Sequence, residues 1–485
     1  MSSLSRQALV VSAARLINQG LMVISPVILV RLLTVQDFGV YREFLLYATL
    51  VASIAGFSLP NSLLYFVGLQ PEGAWGYVRR IVLACAVSSG LAVVVFALVD
   101  RLGPTPLVGE LLLPCILYVL FYVNVDFWES LWLARRQSTA VFAYTAGRLV
   151  MRLLVVIGAA SIRPDPGVIV WSLVCFEAVR LGVSTFWWRR LSRREGSAAP
   201  RSSWSEQLAF CVPSGIAVFV STLNSSIGGV FVSRSLGEAA LAQFVIAGYV
   251  TMVVSPLRNS VSDVMLPRMA NLTTQDPNGW LPLWRRAVVL FAILLLPLAL
   301  LLGRYAELFV TTLFSARYRD AIPVFQVYCA SLLISCVDIA VALRAINKTR
   351  LMLVGNVIVL VLNLALVSVL VPALGATGAA LALLGSQLVA LSYLLVVTAR
   401  AQGLRLAELL PLRDLSKVAL AALVAASVIL PSFWTEAMGI AGAVASSVLY
   451  LAVFVALANG LRVEEAGWLW RQATRRLGRS RPASP

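Results

Sequence analysis

The stretch MLVGNVIVLVLNLALVSVLV, Met352–Val371, decides the fold: it runs without a single charged residue. At ~1.5 Å of rise per residue, a helix of about 20 apolar residues crosses the ~30 Å hydrocarbon core of a bilayer. After the break Pro372–Ala376, a second such run follows, TGAALALLGSQLVALSYLLVVTA, Thr377–Ala399. Both runs are continuously apolar. Barrel strands alternate apolar and polar residues over about 10 positions, so these runs are helices.

Similar runs recur along the whole chain. Before a polar break they cover Ala8–Val30, Phe44–Leu69, Ile81–Val99, Leu111–Leu133, Phe142–Ile162 and Val168–Trp188. After it they cover Leu208–Val232, Ala242–Met265, Ala287–Leu302, Pro323–Leu343, the two runs above, Val418–Leu430 and Gly439–Leu457. The expected fold is an all-α polytopic membrane protein with about fourteen transmembrane helices. Composition agrees, since the 485 residues are 60% hydrophobic and only 13% charged. A soluble domain carries about 25% charged residues.

The net charge of +17 is spread over short loops. One set of loops holds Arg79, Arg80, Arg135, Arg136, Arg189, Arg190, Arg285, Arg286, Lys348, Arg350 and Arg413, and the opposite set is sparse. Lys and Arg mark the cytoplasmic side, so both termini are expected there, in a multi-pass protein of a bacterial cytoplasmic (inner) membrane. Dispersed charge of this kind does not indicate a nucleic-acid partner. The tail after Asn459, with Trp468 and Trp470 beside Arg471, Arg475 and Arg476, is basic and amphipathic. It suits either the membrane surface or a solvated tail. Membrane lipids are expected partners.

Chemistry that needs imidazole is excluded, because the chain has no His. Cys85, Cys115, Cys175, Cys211, Cys329 and Cys336 lack metal-ligand spacing, and no Gly-rich phosphate loop is present. No cofactor, metal or enzymatic activity is expected.

The basic, Ser- and Pro-containing segment 191–206 reads as a cytoplasmic linker. It divides an N-terminal lobe, 1–190, from a C-terminal lobe, 207–400. An extra helix pair, 401–459, and a basic tail, 460–485, follow. A faint repeat supports two pseudo-symmetric lobes around a central cavity. Arg31-Leu32-Leu33 through Gly39-Val40-Tyr41 follows the first span, and Ser233-Arg234-Ser235-Leu236-Gly237 follows the seventh.

Several of these residues carry a family likeness. Arg31-Leu32-Leu33 with Phe38-Gly39-Val40-Tyr41, then Leu313-Phe314, Tyr318 and Ala321-Ile322-Pro323 are part of it. Ala345-Ile346-Asn347-Lys348, Asn363 and Gly375-Ala376-Thr377-Gly378-Ala379-Ala380 complete it. In their order and spacing the chain resembles the polysaccharide (O-antigen and exopolysaccharide) flippases of the multidrug/oligosaccharidyl-lipid/polysaccharide exporter superfamily. The resemblance implies translocation of undecaprenyl-pyrophosphate-linked oligosaccharide repeats from the inner to the outer leaflet. It also implies a polysaccharide polymerase and chain-length regulator as partners. It transfers no compact substrate motif.

Site candidates therefore come from physics. Ionisable groups inside a membrane cost about 2.5–3.5 kcal/mol each on insertion scales and face an interior or a cavity. Arginine suits a pyrophosphate because its planar fork donates two hydrogen bonds. Arg15 and Arg258 are the first candidates, with Arg148 and Arg152 on one face of the fifth span. Tyr118, Tyr122, Asp126 and Glu129 share a face of the fourth. Structural pairing of Asp126 and Glu129 with Arg148 and Arg152 is the competing reading. The sixth span adds Glu177 and Arg180. Tyr122, Asn61 and Asn259 are sugar-binding candidates, and Asp126, Glu129, Asp263 and Asp338 are candidates for ion coupling. A cation/drug antiporter, a lipid II flippase and a membrane-embedded glycosyltransferase are the alternative functions. The short outer loop Gly303–Ile322 speaks against the last.

Overall fold

The computed structural model describes residues 24–196, 198–430 and 433–463, and the described residues are helical, with no strand. Among them, ten helical segments are long and apolar enough to cross a membrane. The chain is a multi-pass α-helical membrane protein. The first expected span, Ala8–Val30, lies largely outside the described residues, as does the basic tail beyond 463.

Contacts divide the chain into two compact units. The first comprises the described residues up to Ile246 together with Asn363–Ala379. The second comprises Ala247–Leu362 and the described residues from Ala380 onward.

In the first unit, α1 (Val35–Gly56) begins where Thr34 caps the Asp37 amide at 3.1 Å, and the Asp37 carboxylate sits in the positive first turn. It packs against α2 (Ala74–Leu102) and α3 (Leu112–Val123). After a turn the chain continues into α4 (Phe127–Ala134), α5 (Ser138–Ile162) and α6 (Pro166–Glu195). Asp165 caps α6 through the Gly167 amide at 2.8 Å, with Pro166 at its first position. Ser203 and Glu206 form a reciprocal capping box for α7 (Trp204–Leu236), which also packs on α1. Aromatic side chains such as Phe38, Phe44 and Tyr77 fill the interior. Outside, Val87, Leu91, Val94 and Leu98 form one exposed stripe on α2, the pattern of a helix solvated by lipid.

The segment between α6 and α7 is seated on the same unit. Gln70 receives the Tyr77 hydroxyl at 3.0 Å and the Arg201 amide at 2.9 Å, and donates to the Ala199 carbonyl at 3.1 Å. Arg80 holds the Ser202 carbonyl at 2.7 Å. A Cβ on Gly76 would lie 2.7 Å from the Pro200 ring, so glycine is what allows the segment to lie so close.

After α8 (Glu238–Gln275), the second unit contains α9 (Leu281–Arg304), α10 (Ile322–Ser335) and α11 (Ile339–Ala345). The long α12 (Thr349–Ala401) is broken at Gly375, whose φ of +62° and ψ of −145° end one helix and start the next. This is the boundary that Pro372–Ala376 marks in the sequence. Next come α13 (Leu412–Ala426) and α14 (Phe433–Gly460). Trp280, Trp284 and Val288 form a core with Ile339, Leu343 and Leu409.

Candidate functional site

An ionic network lies inside the first unit, where α3, α4, α5 and α6 meet. Its centre is Arg180, whose side chain is 7% exposed. Arg180 donates through Nη1 to Glu177 Oε2 at 2.6 Å, and the Glu177 side chain is only 1% exposed. Its Nε and Nη2 donate to the Tyr144 hydroxyl at 3.1 and 2.9 Å. Nη2 also lies 3.5 Å from Asp126 Oδ1. All three guanidinium nitrogens are engaged, so Arg180 is part of the scaffold.

Asp126 is shared. Its Oδ1 also receives Arg148 Nη1 at 3.0 Å, and at 38% side-chain exposure it stands at the open edge of the network. Arg152, one turn along α5 from Arg148, makes no hydrogen bond or ion pair with a described residue. It is within electrostatic reach of Glu177 and of the Tyr41, Tyr118 and Tyr122 side chains. Three arginines thus face two carboxylates that are already bonded, and the spare cation is Arg152.

Aromatic rings wall the network. Tyr122 stacks on Tyr118 with ring centres 5.7 Å apart, and Phe44 meets Tyr118 edge-on at 5.5 Å. The Arg180 guanidinium lies 5.7 Å from the centres of both the Tyr122 and Tyr144 rings. Such rings hold a cation in place. The arrangement provides a spare guanidinium beside an aromatic wall, so its chemistry suits an anion.

The other candidates are dispersed. Asn61 is exposed and donates to the Ser58 hydroxyl at 3.0 Å, a turn contact. Glu129 is half-buried on α4 and makes no bond with a described residue. In the second unit, Asn259 is exposed, and the buried Nε of Arg258 has no hydrogen-bond partner among the described residues. Asp338 accepts from the Ser262 hydroxyl at 2.7 Å, while its backbone carbonyl accepts from the Trp284 indole at 2.9 Å. Arg15 and the side chain of Asp263 lie outside the described residues.

Residues 28–323 match the family described as polysaccharide biosynthesis protein. The chain belongs to that family. No curated protein matches this family member. Its fold is shared with transporters of known structure. A lipid II flippase, MurJ, in an inward closed conformation is 15% identical with a TM-score of 0.71, covering 91% of this chain and 98% of that one. An inward-facing multidrug resistance MATE transporter of the MOP superfamily is 12% identical with a TM-score of 0.58, covering 79% and 94%. A MOP superfamily transporter from Pyrococcus furiosus is 13% identical with a TM-score of 0.55, covering 82% and 95%.

The site in this family member differs from the expectation in two respects. The fourth span is not one helix: α3 stops at Val123, and the turn 124–126 interrupts the face that carries Tyr118, Tyr122, Asp126 and Glu129. The hub is Arg180 with Glu177 and Tyr144; the first two are noted charges of the sixth span, but none of the three is assigned a binding or coupling role from the sequence. The signal for them was an acid and a base at i, i+3 within an apolar span, a spacing that brings the two side chains together on one helix face.

Proposed function

We propose that this protein is a flippase that carries undecaprenyl-pyrophosphate-linked oligosaccharide repeats from the inner to the outer leaflet by alternating access. Both termini would face the cytoplasm. The observation that carries the reading is the conjunction of the family, polysaccharide biosynthesis, with the fold, that of membrane transporters. A chain of this family with this fold fits the step in which a hydrophilic repeat must cross hydrocarbon.

The network in the first unit supplies a fitting contact. Arg152 has donors to spare, and the rings of Tyr118 and Tyr122 stand beside it. In this reading Arg152 and the outer edge of Arg148 receive phosphate oxygens, and Arg180 holds Arg148, through Asp126, in position. Arg258, with its unbonded Nε, is a second candidate contact. A polymerase and a chain-length regulator are the partners expected downstream.

The test is flipping of a fluorescent undecaprenyl-pyrophosphate oligosaccharide in proteoliposomes, wild type against Arg152→Gln and Arg258→Gln at matched insertion. A charge-assisted hydrogen bond is worth ~1.5–3 kcal/mol, so loss of a phosphate contact lowers flipping by about 10- to 100-fold. Unchanged flipping in Arg152→Gln removes that residue from the site. No flipping by folded wild type, across several glycans, removes the function. The lipid II flippase reading is favoured by the MurJ fold likeness. It predicts instead that a peptide-bearing cell-wall precursor is flipped in preference to a polysaccharide repeat.

A further inference from the structure

The second unit carries a basic pocket of about 400 Å³ between α9 and α13, lined by Arg285, Arg286, Arg413 and Asp414 with Val289 and Leu412. Nothing in the transport reading uses it. The two helices pack against each other and run parallel. At one end Arg285 Nε donates to the Leu409 carbonyl at 3.3 Å, and at the other Arg304 Nε donates to the Ile429 carbonyl at 3.0 Å. α13 therefore starts at the pocket, where its positive end adds to the field, and α9 passes it in its second and third turns.

The local charge is positive by count: Arg285, Arg286, Arg413 and Lys417 outnumber Asp414 and Glu408. Asp414 pairs with Lys417 at 3.4 Å, and Glu408 keeps its charge while accepting the Arg405 backbone amide at 2.8 Å. Arg286 and Arg413 are exposed. Below the pocket, Leu412, Leu420, Leu423 and Val424 are each more than half exposed and share one face of α13. Positive charge at the mouth and an apolar track leading away from it match an anionic amphiphile.

We propose that this pocket is a binding site for an anionic membrane phospholipid. Its phosphodiester meets Arg286, Arg413 and the partly buried Arg285, and its acyl chains lie along the Leu412–Val424 stripe. Basic pockets between membrane helices on the cytoplasmic side suit such headgroups. The site is independent of the flippase assignment, because none of its residues belongs to the ionic network of the first unit.

The experiment reconstitutes wild type, Arg286→Gln/Arg413→Gln and Arg350→Gln into nanodiscs. The discs contain phosphatidylcholine alone, with phosphatidylglycerol added, or with undecaprenyl phosphate added. Unfolding temperature and retained lipid by native mass spectrometry are read for each. Wild type should be stabilised by phosphatidylglycerol and retain it. The double variant should lose most of that stabilisation, with affinity falling by about fivefold per arginine, the fold-change equal to ~1 kcal/mol. Arg350→Gln, an exposed arginine outside the pocket, should behave as wild type. An equal loss in Arg350→Gln would mean diffuse charge attraction and overturn the site. So would an undiminished effect in the double variant, or stabilisation by undecaprenyl phosphate but not by phosphatidylglycerol.

Discussion

Replacing Arg180 by Met should be the most damaging single change to the ionic network, and replacing its partner as well should undo most of the damage. Glu177 is 1% exposed and has Arg180 as its direct cation, at 2.6 Å. Removing one partner of a buried pair leaves an uncompensated charge and costs ~3–5 kcal/mol. Arg152 is within reach of Glu177 and can turn toward it, so the low end, about 3 kcal/mol, applies. Glu177→Leu should cost less, ~1–2 kcal/mol, because Arg180 keeps Tyr144 and Asp126. The double replacement Glu177→Leu/Arg180→Met removes both charges, and such exchanges are neutral or stabilising by ~1–4 kcal/mol in other buried pairs.

The assay is a double-mutant cycle in lipid–detergent micelles, read by reversible unfolding. The coupling between the two sites should exceed ~2 kcal/mol in the direction of rescue. Flipping should fall in Arg180→Met as well, since an Arg152 drawn to Glu177 no longer serves substrate. Additive losses in the cycle, or a cost below about 1 kcal/mol for Arg180→Met, would show that Glu177 is compensated elsewhere and would end this account of the network.

Other changes test separate contacts. Gly39→Ala would place a Cβ 2.1 Å from the Glu238 carbonyl oxygen, a backbone atom that cannot turn aside, so a loss at or above ~3 kcal/mol should appear as poor folded yield. Gly76→Ala crowds the Pro200 ring and meets the Ala198 carbonyl at an ordinary 3.5 Å, so it should cost about 1 kcal/mol in unfolding, and Pro200→Ala in the same chain should restore it. Tyr305→Phe removes the buried 2.5 Å contact with Ser446, whose hydroxyl keeps the Ala443 carbonyl at 3.1 Å, so the expected loss of stability is only ~0.5–1.5 kcal/mol. If export of a doubly negative pyrophosphate is driven by an inside-negative potential, it is downhill by ~4–5 kcal/mol per 100 mV. Collapsing the potential with valinomycin should then slow flipping, and an unchanged rate would call for ion exchange instead.

The membrane fold was legible because a spanning helix must be apolar along its whole length, and runs such as Met352–Val371 satisfy that without reference to any neighbour. Gly375 was legible as a boundary for a similar reason, since the small-residue break states its own geometry. Pairing is a different kind of fact. Arg148, Arg152 and Arg180 look alike in sequence, and only packing shows that Arg180 is saturated, Arg148 is paired with a shared Asp126 and Arg152 is spare. Gly39 belongs to a recognisable motif, yet its cause, the approach of the Glu238 backbone, comes from a residue 199 positions away.

A local repeat that hydropathy could not show explains why charge sits where it does. In the first unit α3 stops, a turn ends on Asp126, α4 follows, and Arg136 takes φ +58° before α5. In the second, α10 stops, a turn ends on Asp338, α11 follows, and Asn347 takes φ +57° before α12. Each break puts an aspartate directly before a short helix, at its positive start, although neither side chain bonds an amide there. An uninterrupted apolar helix offers a carboxylate no such compensation. The two copies then diverge: Asp126 is satisfied by arginines, and Asp338 by the Ser262 hydroxyl. The same backbone device therefore supplies an ionic network with a spare cation in one unit and, in the other, a carboxylate hydrogen-bonded to a hydroxyl with no ion pair among the described residues. That difference is why the proposed phosphate contact is at Arg152 and not beside Asp338.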